Sequence, residues 1–450
     1  MVFSSLLFIF RFIPIFFIIY YLVPFKYKNY VLFAGSIVFY GWGEPKYLVL
    51  LLVSILVNYL AGLFIDRFYV FISAIIFDIG MLFFFKYINF FITNINAVTG
   101  FGIKEVNITL PLGISFYTFQ IMSYIIDLRR GRVKVEKSFI NLGTYLSMFP
   151  QLIAGPIVVY SDVADRLKHR EISLGNVEEG LRLFVLGLGS KVLIANNAGA
   201  LFSELGTMGY ENITSPMAWL GMVSYTIQIY FDFNGYSMMA IGLGKMLGFE
   251  FPKNFDLPYT SRSITEYWRR WHMTLSGWFK EYLYIPLGGN RKGAGRTVLN
   301  LFIVWFVTGF WHGADWNFIL WGLYFFVLLM IERVGFGSFL KKHKIISHIY
   351  SLLAIGFGWM IFAISDLGEL GVYIQKLFTG GYSANVIYYI RNYGVIFILG
   401  GLLSSGLCNK LYKKLENNTA AVTVLLTVIF ILSIAYLADA SYNPFLYFRF

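Results

Sequence analysis

The sequence predicts an all-α integral membrane protein, a polytopic chain of about ten to twelve transmembrane helices with re-entrant segments. Three observations carry that expectation. Hydrophobic residues make up 58% of the 450 and charged ones 13%; with Gly counted in place of Tyr the apolar share is about 60%, against roughly 45–50% apolar and roughly 25% charged in soluble domains, and mean hydropathy is +0.66. Apolar stretches near the about 20 residues that cross a bilayer recur along the chain. Basic residues gather in short clusters between those stretches, as in cytoplasmic loops. Together these exclude a disulfide scaffold, a disordered tail and a collagen-like rod. The single Cys408 rules out an internal disulfide, a Cys-based zinc site and an iron–sulfur cluster, and reads as a small apolar residue near a helix end.

The elements follow in order. Residues 3–23 form the first expected span. It contains Arg11, no basic residue precedes it and no Ala-x-Ala-like site follows, so a retained helix is expected rather than a signal peptide. Spans over 30–43 (short), 46–65, 68–88 and 108–128 come next, the last interrupted near its start by Pro111 and Gly113. Residues 139–160 are apolar but carry Pro150, Gly155 and Pro156. Basic clusters flank them, Arg129, Arg130, Arg132, Lys134 and Lys137 on one side and Arg166, Lys168 and Arg170 on the other. A segment that enters and returns to the same side fits this pattern, because broken backbone at membrane depth is tolerated only inside protein or along a cavity. The remaining spans are expected over 177–203, 216–248, 297–312, 315–332, 346–364, 393–408 and 420–438. Between Lys253 and Arg296 stand eight basic residues against three acidic ones, and Lys341, Lys342, Lys344, Lys410, Lys413 and Lys414 complete the positive set. The positive-inside rule places these clusters in the cytoplasm, and the N-terminus and the low-charge stretches 92–107 and 204–215 outside. The net charge of +12 then reflects loops near anionic lipid, and no nucleic-acid partner is expected. No repeat of 20–50 residues and no linker divides the chain, so residues 1–450 read as one domain.

Ionisable residues inside a span are functional candidates. His312 closes the apolar run after Arg296. If that run is helical, its roughly 16 residues put His312 about 24 Å from the cytoplasmic edge, where a neutral imidazole can take a proton from a hydroxyl. Asp315 and Asn317, three and five residues on, are placed to hold its ring; a structural histidine at a helix break is the alternative. His272 lies in Trp268-Arg-Arg-Trp-His272, read as cytoplasmic and close to charge. Trp268, Trp271 and Trp278 beside Arg269 and Arg270 form either an interfacial aromatic belt or a grip on a phosphorylated, adenine-bearing donor. His169, His343 and His348 read as solvated. Gly187-Leu-Gly-Ser-Lys191 imitates only a fragment of a phosphate loop, and Gly244-x-x-x-Gly248 reads as close helix packing. No metal-hydrolase or serine-hydrolase motif is present, and no metal site is expected.

Longer motifs run through the chain: Phe39-Tyr-Gly-Trp42, Pro111-Leu-Gly-Ile-Ser-Phe-Tyr-Thr-Phe-Gln120, Phe149-Pro-Gln-Leu-Ile-Ala-Gly-Pro156 and Tyr230-Phe-Asp-Phe-Asn-Gly-Tyr-Ser237. They continue with Glu266-Tyr-Trp-Arg-Arg-Trp-His272, Tyr284-Ile-Pro-Leu-Gly-Gly-Asn-Arg291, Gly309-Phe-Trp-His-Gly-Ala-Asp-Trp316 and the closing Asn443-Pro-Phe-Leu-Tyr-Phe-Arg-Phe450. In these motifs and their order the chain resembles the membrane-bound O-acyltransferase family, in its bacterial alginate O-acetylation branch. One departure is Ser237-Met-Met239, where the family often has Ser-Asp-Met.

The resemblance implies a ring of tilted helices around a central catalytic tunnel, in a bacterial cytoplasmic membrane. It puts His312 in the place of the catalytic histidine and His272 in that of the second recurrent one. It implies a cytoplasmic thioester donor, acetyl-CoA, as co-substrate with no bound cofactor, membrane lipid as surroundings, and an extracytoplasmic esterase-like partner that receives acetyl for a polysaccharide or peptidoglycan. Alternatives are a D-alanyl transferase of teichoic acids fed by a carrier protein, an acyltransferase acting on a lipid or small alcohol, and a non-enzymatic transporter or scaffold.

Overall fold

The computed structural model describes residues 2–439, which are helical or irregular and contain no strand; the Asn443–Phe450 motif lies outside the described residues. Two compact units form, Met1–Phe184 with Ser237–Pro252, and Val185–Tyr236 with Lys253–Phe450. Among the described residues, seven helices are long and apolar enough to cross a membrane, and Phe8–Leu22 and Leu48–Leu63 are shorter apolar helices. The chain is therefore an all-helical integral membrane protein, as the hydropathy pattern predicts.

The first unit opens with α1 (Phe8–Leu22), α2 (Phe25–Gly43) and α3 (Leu48–Leu63). The helix expected to end at 88 continues as α4 (Phe68–Thr99). The apolar run thins after Ile88, but polar side chains within it bond back to the backbone, as Thr93 Oγ1 does to Asn89 O, and Gly100 in left-handed geometry ends the helix. The span expected from 108 starts only at α5 (Ile114–Arg129). Gly113 explains the delay: its φ is +74, and a Cβ there would sit 2.5 Å from the Leu152 carbonyl oxygen, so both its backbone angle and its neighbour demand glycine.

The apolar segment 139–160 is broken, as its prolines predict. It forms α6 (Phe139–Ser147) and α7 (Phe149–Leu152), separated at Met148 by non-helical backbone, followed by α8 (Tyr160–Lys168). Pro150 sits in the first turn of α7, where its missing N–H costs nothing. Phe149 anchors the break among Phe12, Phe16 and Phe39, with ring centroids 5.1–5.6 Å apart. Arg170, placed by the sequence in a cytoplasmic basic cluster, has a buried side chain. Its guanidinium donates to Tyr20 Oη, Asn29 Oδ1 and the Leu247 carbonyl, and these acceptors replace its hydration.

After α9 (Leu174–Gly189) and a π-helical turn over Ser190–Ala195, the second unit contains α10 (Asn196–Met208) and most of α11 (Ser215–Met246). Close packing between α9 and α11 runs through Gly180 against Gly242 in the first unit and Gly187 against Gly235 in the second. The Gly244-x-x-x-Gly248 pair expected in that role does something else: Gly244 lies under the Phe251 ring, and Gly248, at φ +87, follows the end of α11. Beyond Lys253 come α12 (Ile264–Arg270), α13 (Met273–Phe279), α14 (Ala294–His312), α15 (Trp316–Ile331), α16 (Gly337–Lys342) and α17 (Lys344–Ala363). The chain then runs through α18 (Leu367–Thr379), α19 (Asn385–Ser404), α20 (Leu407–Leu415) and α21 (Thr419–Asp439). His169 and His343 are exposed. His348 departs from its solvated reading: it is half-buried within α17, with Nδ1 3.2 Å from the Ser261 carbonyl oxygen.

Candidate active site

The site belongs to the second unit and starts from two short helices. Of the basic stretch after Lys253, expected as a cytoplasmic loop, residues 254–279 are mostly buried or half-buried and residues 290–296 are exposed. Ser263-Ile-Thr-Glu266 starts α12 with a variant of the capping box: Ser263 Oγ accepts from the Glu266 N–H, and the Glu266 carboxylate accepts from the N–H of Arg262, one residue before the cap. Buried Glu332 holds the same end by accepting from the N–H groups of Ile264 and Thr265 and from the Thr265 hydroxyl. Between α12 and α13 the chain turns at His272, whose φ is +43 and ψ +53. A non-glycine residue in this geometry is uncommon and needs surrounding contacts to hold it.

Those contacts are visible. Met273 N donates to Asn254 O at 2.9 Å. Asn254 Oδ1 receives the Thr274 N–H and the Thr274 hydroxyl and lies 3.0 Å from His272 Nδ1. An atom that accepts a backbone N–H is an oxygen, so His272 donates from Nδ1, and Nε2 carries the ring's lone pair. The ring is 1% exposed, and Phe233 meets it edge-on at 4.7 Å. Burial pushes its pKa down to about 3, which keeps it neutral near pH 7. The rings of Phe233 and Trp311 lie against it, at 4.7 and 6.4 Å between centroids.

His312 ends α14, a helix about 28 Å long at 1.5 Å per residue. It is 3% exposed and stands inside three aromatic rings: Trp321 at 4.9 Å, Trp311 at 5.0 Å and Phe362 at 5.4 Å, each near perpendicular to the imidazole. Trp311 also reaches His272, at 6.4 Å between centroids. One indole thus bridges two histidines 40 positions apart in sequence. The α14–α15 pair is positioned by Gly309 and Gly322. A Cβ on Gly309 would lie 2.4 Å from Phe318 O, and one on Gly322 2.4 Å from Trp305 O, so the two backbones touch.

The other expected site residues take different places. Asp315 caps α15, accepting from the Trp316 N–H. Buried Asn317 donates to the carbonyls of Ile361 and Phe362, which fixes the residue that walls His312 rather than the imidazole itself. Trp268 and Trp271 are buried. Trp268 packs on Trp321 at 5.5 Å, and Trp271 on Trp359 at 4.8 Å. They and Trp278, also buried, are no interfacial belt: their rings find aromatic partners in the protein interior. Arg270 pairs with Glu266 and Asp256. Arg269 is exposed and has no partner among the described residues. The structure therefore brings His312 and His272 together, puts Trp268 and Trp271 behind them, and leaves Arg269 on the surface.

Sequence reasoning passed over several neighbours. Asn254 and Thr274 orient His272. Lys191 and Asp232 form a buried ion pair at 2.6 Å, with Lys191 also donating to Asn196; Asp232 directly precedes the Phe233 that packs on His272. An aspartate inside the apolar run Tyr230-Phe-Asp-Phe was the available signal.

The sequence pattern of the membrane-bound O-acyltransferase family matches residues 132–365. The chain is 40% identical to a probable alginate O-acetylase of Pseudomonas aeruginosa over 394 residues, 85% of this chain and 75% of that protein. It is 36% identical to a peptidoglycan O-acetyltransferase of Helicobacter pylori, covering 82% of this chain and 78% of the relative. A teichoic acid D-alanyltransferase of Streptococcus thermophilus is 32% identical over 52% of this chain and 59% of its own length. Helical architecture and these likenesses agree: the chain belongs to the membrane-bound O-acyltransferase family and is an O-acyltransferase.

Proposed function

We propose that this enzyme is an O-acetyltransferase of a bacterial cytoplasmic membrane. It takes acetyl from a cytoplasmic thioester, acetyl-CoA, and passes it to a hydroxyl on the outer side, on an esterase-like partner or on a polysaccharide or cell-wall acceptor. The observation that carries the reading is His312, buried in three aromatic rings with neutral His272 across Trp311, in a chain similar over most of its length to alginate and peptidoglycan O-acetylating relatives.

In the chemical step His312 takes the hydroxyl proton while the hydroxyl oxygen attacks the thioester carbonyl carbon. The tetrahedral intermediate collapses with cleavage of the C–S bond, and the imidazolium returns its proton to the departing sulfur. General-base assistance of this kind contributes typically about 10²–10⁴-fold. The buried Trp321 indole N–H, without an acceptor among the described residues, is the donor we assign to the oxyanion. His272, neutral and held by Asn254, offers its Nε2 lone pair to a substrate hydroxyl or a thiol.

His312→Ala is expected to abolish transfer while expression and elution in detergent stay near wild type. A variant retaining more than about a tenth of wild-type turnover contradicts the general-base role. Donor identity is read in inside-out vesicles containing the enzyme and its outer partner, given labelled acetyl-CoA or a loaded carrier protein in separate reactions. Label reaching the vesicle interior from acetyl-CoA supports the proposal. Label arriving only from the carrier protein overturns it in favour of D-alanyl transfer, the activity named for the relative that covers less of the chain.

A further inference from the structure

The second unit contains a groove of about 820 Å³ between α11, α17 and α19, and the acyl-transfer site does not use it. Its walls are aliphatic and aromatic, with Met222 and Ile227 from α11, Leu352 from α17 and Phe397 from α19. Its basic side chains are Arg262, Lys344 and His348. Lys344 opens α17 and His348 follows one turn later on the same helix face, while the Ser261 carbonyl that His348 contacts adjoins Arg262. The three side chains are thus grouped at one end of the groove. Arg262 and Lys344 are exposed, and neither side chain is ion-paired with a carboxylate among the described residues, whereas the side chains of Lys253 and Arg270 in the same unit are. No acidic residue lines the groove.

An apolar trough ending in uncompensated cations has the chemistry of both parts of an anionic phospholipid. A free phosphate would leave the apolar walls bare, and a zwitterionic lipid would leave the cations without a net counter-charge. We propose that this groove binds one anionic phospholipid, its phosphate against Arg262 and Lys344 and its acyl chains along α11, α17 and α19. The volume lies within the roughly 300–1,000 Å³ of small-molecule sites. Tyr259, which also lines the groove, stacks on Trp271, and Trp271 packs on Trp359. A bound lipid therefore braces the aromatic layer behind His312 without entering it.

Trp219 lines the groove and serves as the reporter. Purified full-length enzyme in mixed micelles receives phosphatidylglycerol or phosphatidylcholine carrying the same brominated chains. The Trp219 signal is isolated by subtracting the Trp219→Phe variant. Half-maximal quenching is expected at a mole fraction of phosphatidylglycerol lower by about fivefold or more, given what one basic side chain contributes to anionic-lipid attraction. Arg262→Gln with Lys344→Gln should erase that preference. Gly401→Leu, placed where a Cβ meets nothing within 4 Å, should fill the groove and weaken quenching by both lipids with the charges intact. Equal quenching by the two lipids in wild type, or a preference that survives the double glutamine variant, overturns the proposal. Displacement of the brominated lipid by acetyl-CoA also overturns it and makes the groove a donor site. The result does not depend on whether acetyl is the transferred group.

Discussion

His272 shows how a single residue can be recognised in sequence and still be misplaced. Its motif marked it, but its burial comes from Phe233 and Asn254, which lie 39 and 18 positions away and reach it only in the fold. The consequence is a pH dependence of definite sign. The folded chain keeps His272 neutral down to about pH 3, while an unfolded chain protonates it near pH 6.5. Between those values the unfolded state binds the extra proton, so stability present above about pH 6.5 is lost as pH falls through the window, by at most about 1.4 kcal/mol per unit. Thermal unfolding in detergent from pH 7 to 5 should therefore fall more steeply for wild type than for His272→Gln; parallel slopes would remove His272 as the cause. The neighbouring arginines separate in the same way. Arg269→Ala, at an exposed side chain without a partner among the described residues, is expected to raise the donor KM with little change in kcat, as loss of uniform binding does. Arg270→Ala breaks ties to Glu266 and Asp256 and should lower thermal stability as well. Equal kinetic effects without a stability difference would contradict this division. Sequence order alone could not tell these two arginines apart, because the helix turn that sends one to solvent and the other to its carboxylates is set by the capping box.

At the scale of elements, α14 and α15 were legible in advance: both are long apolar runs separated by Gly-Ala-Asp, and the structure puts the break there. Their distance was not legible, because Gly309 and Gly322 act only in combination. Gly309→Ala would drive a Cβ to 2.4 Å from Phe318 O, and overpacking of this kind costs about 1–3 kcal/mol. A clear fall in melting temperature in detergent is expected, while Gly295→Ala in the same helix, with nothing within 4 Å of the new Cβ, should leave it near wild type. Equal melting temperatures would mean that the helices part freely. The 139–160 segment makes the complementary point. Its prolines announced an interruption, yet the break falls at Met148, because proline suits the first turn of a helix and so ends up starting α7.

For the whole molecule, composition sufficed for membrane residence and helical class, since so few charges cannot cover so much apolar surface. Pairing between distant segments had no linear signature, and Lys191 with Asp232 or Arg170 with Asn29 became visible only in three dimensions. Sidedness follows from charge alone and is open to direct measurement. In a Cys408→Ala background, Asn290→Cys and Thr207→Cys place thiols at exposed positions on opposite expected sides. A membrane-impermeant reagent applied to intact, wall-stripped cells should label the second and spare the first. Labelling at position 290 would invert the topology.

The rings around His312 also bear on what becomes of an activated donor. A thioester beside a general base is open to attack by any hydroxyl, solvent included, and hydrolysis would release free acetate with nothing acylated. Indole and phenyl faces offer water few hydrogen bonds, so a hydroxyl reaches the imidazole best when it arrives on an acceptor whose own surface fits those faces. On the proposed chemistry, the partition between transfer and hydrolysis is then set by Trp311, Trp321 and Phe362 rather than by the histidine they enclose.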